Sequence, residues 1–419
     1  MATRTKLFVM MVLEIFIWGA WLPVIFGYLP SLGFDTNQSS WILNAFTIAS
    51  ITAMLVSAPF ADRHFAAEKF MAVSHLIGGV CMIALTWTRS FWPFFGLMLA
   101  HSLFYVPTMS VANSIAFTHI KDPKRDFGPI RMGGTLGWIL AAWPLYFILA
   151  GKSGAEAVPL KANVFLIAGI ASLLLAAFSL TLPHTPPRPR SSGSFAWFDA
   201  VWLLRLPFVL VLFAVTFVDA AVHQGYFVLT DSFLRERVGV ADDWVMPIMS
   251  LGQVAEIGTM MILGSVLKAL GWRLTMFIGV LGHAVRFAVF AWFPDHVWLV
   301  VGANLLHGVC YAFFFATVYI FVDEYFPKHT RATAQGLFNF LILGAGPFVA
   351  NFVWPWVKDR YTAQQVLAPG TEGVHEVSVT SYEQVFPVLA LTALAGAAFL
   401  LVFFQPPAPP EAAGTADDA

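Results

Sequence analysis

The sequence predicts an all-α membrane protein with twelve transmembrane helices. Of its 419 residues, 58% are hydrophobic and only 11% are charged, whereas a soluble domain carries about 25% charged residues. A soluble fold of this length could not bury so much apolar surface, so we expect lipid to be the solvent around it. The formal net charge of −1 excludes a nucleic-acid binder that works through bulk electrostatics.

The spans are predicted from apolar runs, since a helix needs about 20 apolar residues to cross a bilayer. The first run is too long for the apolar core of a signal peptide and lacks a small-residue cleavage site, so we expect it to be a span. The predicted spans are 7–29, 41–61, 70–88, 92–118, 129–150, 161–182, 206–230, 245–267, 273–293, 297–322, 333–357 and 383–404.

A polar stretch at 182–193 (LPHTPPRPRSSG), rich in proline, arginine and serine, divides these runs into two groups of six. The tail is rich in proline, alanine and acidic residues, a composition typical of disorder. The predicted domains are an N-terminal six-helix bundle over 1–183, a cytoplasmic linker over 184–204, a C-terminal six-helix bundle over 205–404 and a disordered cytoplasmic tail over 405–419.

The loops predict both orientation and an internal repeat. Lys and Arg are about twice as frequent in the loops on the N-terminal side as in the loops on the other side, which places both termini and the linker in the cytoplasm. The loops at 58–69 and 264–273 are short and basic and stand at equivalent places in the two halves. Secondary transporters are commonly built from such paired halves. The polar stretch 359–379 is expected to be a long outer loop.

Ionisable side chains inside spans are costly and are therefore functional candidates. Glu256 lies well inside an apolar run, three residues after Gln253, with no Lys or Arg nearby in sequence. Burial favours the protonated form of a carboxyl, which is the property that a proton-coupled carrier needs. The alternative for Glu256 is a permanently hydrogen-bonded structural role.

Glu14, Trp18 and Trp21 on the first span have the spacing of one helix face. Glu14 could carry a proton, and the two tryptophans could stack on a ring. The alternative is that Glu14 lies near the cytoplasmic end of the span and extends its carboxylate to water.

Arg131, Thr135 and Trp138 share a face of the fifth span, and the neighbouring glycines allow a close approach of another helix. An arginine offers a rigid fork of donors to hydroxyls, carbonyls or a carboxylate. The alternative is an arginine at a helix start that reaches towards water.

The seventh span contains Asp219, His223, Gln224, Phe227 and Asp231. Gln224, Phe227 and Asp231 share one face, and a glutamine suits a polar uncharged solute. Asp219 and His223 form a second pair at i, i+4, which could be structural. Asp231 lies near the outer end, where it could simply be solvated.

His307, Tyr311 and Phe314 form an aromatic face on the tenth span, with one titratable end. Such a pattern is more often packing than a site. Arg286 on the ninth span is expected either to form an ion pair or to extend to a helix end.

Several segments carry a resemblance to one family, and together they cover nearly the whole chain. They are IWGAWLP at 17–23, YVPTMSVANSIAF at 105–117, GPIRMGGTLGWI at 128–139, LTLPHTP at 180–186, SLGQVAEIG at 250–258, VRFAVFA at 285–291 and RATAQGLF at 331–338. These segments resemble the nucleoside:proton symporter family of the major facilitator superfamily. Asp62 and Arg63 also resemble the loop signature of that superfamily, although Ala58 stands where glycine is usual.

The resemblance implies a major facilitator fold, in which two six-helix bundles surround a central site, and proton-driven nucleoside uptake across the bacterial inner membrane. It assigns to the substrate site Arg131, Thr135, Trp138, Gln224, Gln253 and Glu256, with His307 and Tyr311 at positions where the best-known member has tyrosine and phenylalanine. The chain departs from that member at three positions. Phe227 replaces an asparagine, Ala312 an aspartate and Glu14 a glutamine.

We therefore predict a monomeric nucleoside:proton symporter of the bilayer, with the proton as coupling ion and no metal, cofactor or nucleic-acid partner. The proton-coupling candidates are Glu256 and then Glu14. The predicted substrate-binding residues are Arg131, Thr135, Trp138, Gln224, Phe227, Gln253, Glu256, His307, Tyr311 and Phe314.

Two other functions stay open at this point. One is a major facilitator carrier of a sugar or another polar solute, because a sugar would also use Gln, Glu and Trp. The other is a membrane sensor that binds nucleosides without moving them. An enzyme is not expected, since the sequence has no HExxH, GxSxG, P-loop, dinucleotide fingerprint or Cys/His cluster.

Overall fold

The computed structural model describes residues 2–53, 64–187, 202, 204–326, 331–370 and 373–406. Within these ranges only the backbone is described for 123–125, 332–333, 365–370 and 373–377. Asp62 and Arg63, most of the predicted linker and nearly all of the predicted tail lie outside the described residues.

The first half of the chain is helical between short loops. Its helices are Thr3–Ser31 (α1), Thr36–Thr52 (α2), Ala67–Leu85 (α3), Phe91–His119 (α4), Pro123–Leu149 (α5) and Asn163–Ser179 (α6). Local sequence explains where α2 begins, because Asp35 and Gln38 form a reciprocal capping box that satisfies two backbone N–H groups. Two short helical segments, Gly154–Glu156 and Ala157–Leu160, lead into α6.

The second half begins with α7 (Pro207–Glu236) and continues with the long segment Val245–Trp292. Gly271 breaks this segment with φ 72° and ψ 176°, a backbone conformation that favours glycine, so we call 245–270 α8 and 272–292 α9. Val297–Tyr325 forms α10, residues 331–360 form α11 and Tyr382–Phe403 forms α12. Both α10 and α11 contain a π-helical turn, at Tyr311–Ala316 and Phe340–Ala345.

Ten helical segments of the described part of the chain are long and apolar enough to cross a membrane. The 48-residue segment that contains α8 and α9 is one of them, and its length of about 72 Å is more than twice the ~30 Å hydrocarbon core. Each predicted span overlaps a helix, although the end of 41–61 lies outside the described residues.

One expectation from the sequence is wrong. The stretch 359–379 is not a plain loop, because Thr362–Gly370 (β1) and Gly373–Thr380 (β2) pair as an antiparallel hairpin between α11 and α12. Thr362 pairs with Thr380 and Ala363 with Val379. Polar composition said nothing of pairing, which depends on the turn that brings the two segments together.

The helices pack mainly within their own half of the chain. In the first half α1 contacts α5 and α6, and α3 contacts α4 and α6; in the second, α9 and α8 contact α10 and α12, and α7 contacts α11 and α12. Glycines allow the closest approaches, since a Cβ at Gly137 of α5 would overlap the Val12 carbonyl of α1. The halves meet along α1–α7, α2–α11 and α5–α8.

Two polar pairs join the halves at the end that holds the α1–α2 loop. Lys161 forms an ion pair with Asp242, and Thr36 donates a hydrogen bond to Asp359. We call these two pairs the interhalf latch. The Lys161 and Asp242 side chains are only 6% and 12% exposed, and Arg235 lies 3.7 Å from the same Asp242 carboxylate.

Arg237 organises three elements near the same end. It donates hydrogen bonds to Asp295, in the α9–α10 loop, at 2.7 Å and to Glu383, at the start of α12, at 2.6 Å. The hydrogen bond from this guanidinium lowers the pKa of the exposed Asp295 carboxyl.

Packing at Gly137 provides a test of the α1–α5 contact. Gly137→Ala should lower the free energy of unfolding by about 1–3 kcal/mol, because the new methyl group overpacks against the Val12 backbone. The matched control is Gly264→Ala in α8, where an added Cβ meets nothing within 4 Å. Thermal melting of the purified protein should show a lower Tm for the first variant alone. Equal melting temperatures would contradict the packing described.

The latch provides a second test. Removing one partner of a buried ion pair costs roughly 3–5 kcal/mol, and Arg235 near Asp242 should offset part of that cost. Lys161→Ala should therefore shift the population of the latched state by at least about tenfold, seen as a longer distance between spin labels at exposed Asn37 and Ala363. Lys152→Ala, which removes an exposed ion pair with Glu156, is the control. A distance distribution unchanged by Lys161→Ala would argue against the latch.

Candidate functional site

The predicted polar residues of α5 and α8 face each other where the two halves meet. The guanidinium of Arg131 lies close enough to the Glu256 carboxylate and to the Tyr311 hydroxyl to interact with both electrostatically. All three side chains are partly exposed. Within the described part of the chain, neither Arg131 nor Glu256 has a hydrogen-bond or ion-pair partner, so both retain capacity to bind a polar molecule between the halves.

Two further groups add hydrogen-bonding capacity on the same helices. Gln253 lies one turn from Glu256 on α8, and its buried Oε1 accepts no hydrogen bond from the described residues. Thr135 on α5 is partly exposed, one turn from Arg131. An unpaired buried carbonyl costs free energy unless something donates to it, so Gln253 also favours a bound donor.

Aromatic rings border these polar groups. Trp138 lies between Trp18 of α1, with ring centroids 5.4 Å apart, and Phe227 of α7, at 5.9 Å. Trp18 in turn stacks on Phe46 at 5.0 Å. Trp138 is partly exposed, so the site combines a polar wall with an apolar surface suited to a flat ring.

Close helix contacts position α8 and α10 beside the site. A Cβ at Gly308 would overlap the backbone of Glu256, and a Cβ at Gly252 would overlap His307. The π-helical turn of α10 begins at Tyr311; such turns are frequent at functional sites. Tyr311 is thereby placed near Glu256, and the residue is partly exposed.

Gln224 contributes to a chain of amides that crosses between the halves. Its Nε2 donates to Asn351 Oδ1 at 2.9 Å, and Asn351 Nδ2 donates to Asn44 Oδ1 at 3.0 Å. Sequence reasoning missed Asn44 and Asn351. Each is a neutral amide inside an apolar helix, which is the signal that could have identified them.

Glu14 lies within the first half and does not reach water. Its side chain is 1% exposed; it contacts His75 of α3 at 2.9 Å and accepts a hydrogen bond from Thr108 of α4 at 2.7 Å. The Tyr105 hydroxyl donates to the Glu14 carbonyl at 2.6 Å. The alternative of a solvated Glu14 is therefore wrong. His75, Tyr105 and Thr108 were missed, because their link to Glu14 depends on packing between helices.

A second buried cluster lies in the other half. Arg286 of α9 is fully buried and does not extend to a helix end; it contacts His283 at 2.8 Å and His307 at 3.3 Å through their Nδ1 atoms. The histidine beside Asp219 is His283, whose Nε2 lies 3.6 Å from Oδ1, and not the predicted His223. His223 instead packs against the ring of His307 at 4.7 Å.

Of the three residues predicted on the tenth span, Tyr311 lies at the site, whereas His307 and Phe314 are buried. His307 is 2% exposed and belongs to the Arg286 cluster, although its ring also contacts Phe227 at 5.6 Å. Phe314 is fully buried in a hydrophobic cluster with residues of α7, α9 and α12, so it serves packing in this conformation. Asp231 is not solvated, since it is buried and paired with Arg235 at 2.5 Å.

No group of three or more His, Cys, Asp or Glu residues within the described ranges is placed to hold a metal ion. The arrangement offers hydrogen bonds, ring surfaces and two buried clusters of ionisable side chains, one around Glu14 and one around Arg286.

Comparison with known proteins places the chain in one family. The family model for the nucleoside H⁺ symporters matches residues 1–409. The chain is 35% identical to YegT of Escherichia coli (strain K12) over 377 residues, covering 87% of each. It is 28% identical to the xanthosine permease of the same strain, covering 87% of this chain and 90% of the permease.

Solved structures show the same fold. The crystal structure of the nucleoside transporter NupG matches with a TM-score of 0.82 and 24% identity, covering 97% of this chain and 100% of the other. A POT family transporter matches with a TM-score of 0.72 and 13% identity, covering 96% and 95%. The family resemblance carried by the sequence segments is thus confirmed, and the chain belongs to the nucleoside H⁺ symporter family.

Proposed function

We propose that this protein carries a nucleoside together with a proton across the bilayer by alternating access, and that the molecule binds between Arg131 and Glu256. The observation that supports this site is the opposition of these two groups across the two halves of the chain, close enough to interact electrostatically, with neither side chain hydrogen-bonded among the described residues. An ionisable group at a helix interface within the bilayer is costly unless other polar groups compensate it. A bound polar molecule would supply the missing hydrogen bonds.

The chemistry suits a nucleoside. Ribose hydroxyls are both donors and acceptors, and Arg131, Gln253 and Glu256 offer complementary groups. A flat base needs an apolar face, which Trp138 and Tyr311 provide. Gln224 is engaged with Asn351, so it would reach the substrate only by exchanging that hydrogen bond. Phe227, as the neighbour of Trp138, would shape the base-binding side.

We also propose the finer architecture: twelve spans in two six-helix bundles, with both termini in the cytoplasm of a bacterial inner membrane and a monomer as the functional unit. The packing of α1–α6 and of α7–α12 within each group supports the two bundles. The length of Val245–Trp292 supports two crossings there. In that orientation the latch lies on the outer side.

Glu256 is the proposed coupling residue because it is an acid inside the site. Protonation would remove its charge and convert one acceptor into a donor, so proton and substrate would change each other's affinity. Glu14 with His75 is the second candidate, since a buried acid–base pair can hold one proton at either member.

A sugar carrier and a non-transporting sensor remain as competing proposals. Competition of unlabelled sugars and nucleosides with a bound labelled nucleoside distinguishes a sugar carrier from a nucleoside carrier. Counterflow in liposomes distinguishes a sensor from a carrier. With a sugar carrier, sugars would displace the labelled nucleoside more strongly than nucleosides do, whereas a sensor would bind nucleosides without flux.

Glu256→Gln should abolish proton-driven accumulation while leaving binding and exchange. The glutamine resembles the protonated carboxyl in shape but takes up no proton, so labelled uridine and adenosine should enter proteoliposomes at least roughly tenfold more slowly under an inward proton gradient. Counterflow without a gradient should persist. Glu156→Gln, at a carboxylate whose side chain is 71% exposed, is the control. Full accumulation by Glu256→Gln would transfer the coupling role to Glu14 and His75.

The site also predicts which aromatic residues contact substrate. Tyr311→Leu and Trp138→Leu should raise Kd for nucleosides, since one lost ring contact of about 0.5–1.5 kcal/mol corresponds to roughly a two- to tenfold change. Phe314→Leu should lower Tm instead and leave Kd within twofold, because that ring is buried in the core. Binding calorimetry and thermal melting on the same preparations distinguish the two effects. A higher Kd for Phe314→Leu, with Kd unchanged for Tyr311→Leu and Trp138→Leu, would assign Phe314 to the substrate site.

A further inference from the structure

Asp219 of α7 is buried beyond the reach of solvent and is poorly satisfied. Its exposure is 0%, and neither carboxylate oxygen has a hydrogen-bond partner among the described residues. His283 Nε2 of α9 lies 3.6 Å from Oδ1, beyond hydrogen-bond distance. A carboxylate left in this state in an apolar interior is costly, so the position needs an explanation beyond packing.

Arg286 determines the proton positions on two histidines of the cluster. A guanidinium can only donate hydrogen bonds, and it meets Nδ1 of His283 at 2.8 Å and Nδ1 of His307 at 3.3 Å. Both Nδ1 atoms must therefore accept, which leaves each ring neutral with its proton on Nε2. The Nε2–H of His283 then points towards Asp219.

The charges of the cluster leave one group free to bind a proton. Arg286 stays protonated, and the Tyr226 ring supports its charge at 4.2 Å. Asp219 is the acid within electrostatic reach of Arg286. Besides Tyr226 and the two histidines that Arg286 contacts, the titratable groups of this cluster are Cys310 of α10 and His223 of α7. Residues 332–357 of α11 and 384–403 of α12 contain no ionisable side chain.

We propose that Asp219, oriented by His283 and balanced in charge by Arg286, is a proton-binding site behind the substrate site. A hydronium ion gives a proton to a carboxylate oxygen and is left as water, so one O–H bond breaks and one forms. The His283 Nε2–H faces the same carboxyl group. When Asp219 is unprotonated, its negative charge cancels the positive charge of Arg286. When Asp219 is protonated, the positive charge of Arg286 remains. The role in coupling rests on the proposed function.

The cluster is physically connected to the substrate site. His307 binds Arg286 on one side and contacts Phe227 on the other, at 5.6 Å, and Phe227 contacts Trp138. The next residue after His307, Gly308, packs directly on the Glu256 backbone. A change in the charge balance around Arg286 is therefore transmitted to the helices that hold the substrate, α7, α8 and α10.

The first experiment needs no substrate. Infrared difference spectra of the purified protein, recorded across a pH titration, should show the carbonyl stretch of a protonated carboxyl that disappears in Asp219→Asn and persists in Glu256→Gln. A spectrum of Asp219→Asn identical to that of the wild type would overturn the proposal. Because no nucleoside is added, this result is independent of whether nucleosides are the transported molecules.

The second experiment measures coupling in proteoliposomes. Asp219→Asn should retain uridine counterflow, but its gradient-driven accumulation should fall at least tenfold. Asp219→Glu should recover part of that accumulation. The control Asp295→Asn, at an exposed carboxylate, should match the wild type. Unchanged accumulation by Asp219→Asn would overturn the proposal. A wild type that moves no nucleoside would instead refute the proposed function.

A purely structural Asp219, needed only to neutralise Arg286, is distinguished by a double variant. Asp219→Asn with Arg286→Gln restores the charge balance but provides no acid. The proposal expects this variant to stay uncoupled, whereas recovered accumulation would overturn it. If Asp219→Asn does not fold, His283→Gln keeps the acid and removes the histidine, and should shift the pH profile of gradient-driven uptake; an unchanged profile would count against the proposal.

Discussion

The structure depends on one constraint: a charge buried between these helices has to be compensated by other side chains, because a bilayer offers no water to do so. Glu14 meets this constraint with His75 and Thr108. Arg286 meets it with two histidines and the Tyr226 ring. Arg131 and Glu256 face each other across the halves, partly exposed and with neither side chain hydrogen-bonded among the described residues, and this is where we place the substrate.

The same constraint separates rigid parts from mobile ones. Within each half, glycines such as Gly137 and Gly308 bring helix backbones into direct contact, and close-packed interfaces change arrangement as units and do not deform smoothly. Between the halves the polar contacts of the described residues are fewer: the latch at one end, the Asn44–Asn351 amide pair and the hydrogen bond from Asn44 to the Phe348 carbonyl. Alternating access then requires these contacts to break while each compensated cluster stays intact.

Sequence reasoning succeeded where the information lay on one helix. Apolar length predicted where the helices lie, and helical spacing grouped Arg131 with Trp138 and Gln253 with Glu256, because neighbours at i+3, i+4 and i+7 share a face. It failed where partners lie on different helices. The pairing of Asp219 with His283 across α7 and α9, and the burial of Phe314 in the core, depend on helix rotation and packing angle, which hydropathy does not specify. The hairpin was missed for a similar reason, since pairing depends on a partner strand.

The neutrality of the substrate explains why one acid in the substrate site and a second acid behind it would be useful. A nucleoside is neutral, so the proton must carry all the charge that moves, and some buried group must alternate between its charged and neutral forms. Glu256 can do so in contact with the substrate, and Asp219 can do so beside a permanent positive charge. Linkage requires that if a proton at either acid strengthens nucleoside binding, the nucleoside strengthens proton binding there by the same factor. An acid in contact with substrate obtains this linkage through direct hydrogen bonds, whereas Asp219 would obtain it through His307 and Phe227.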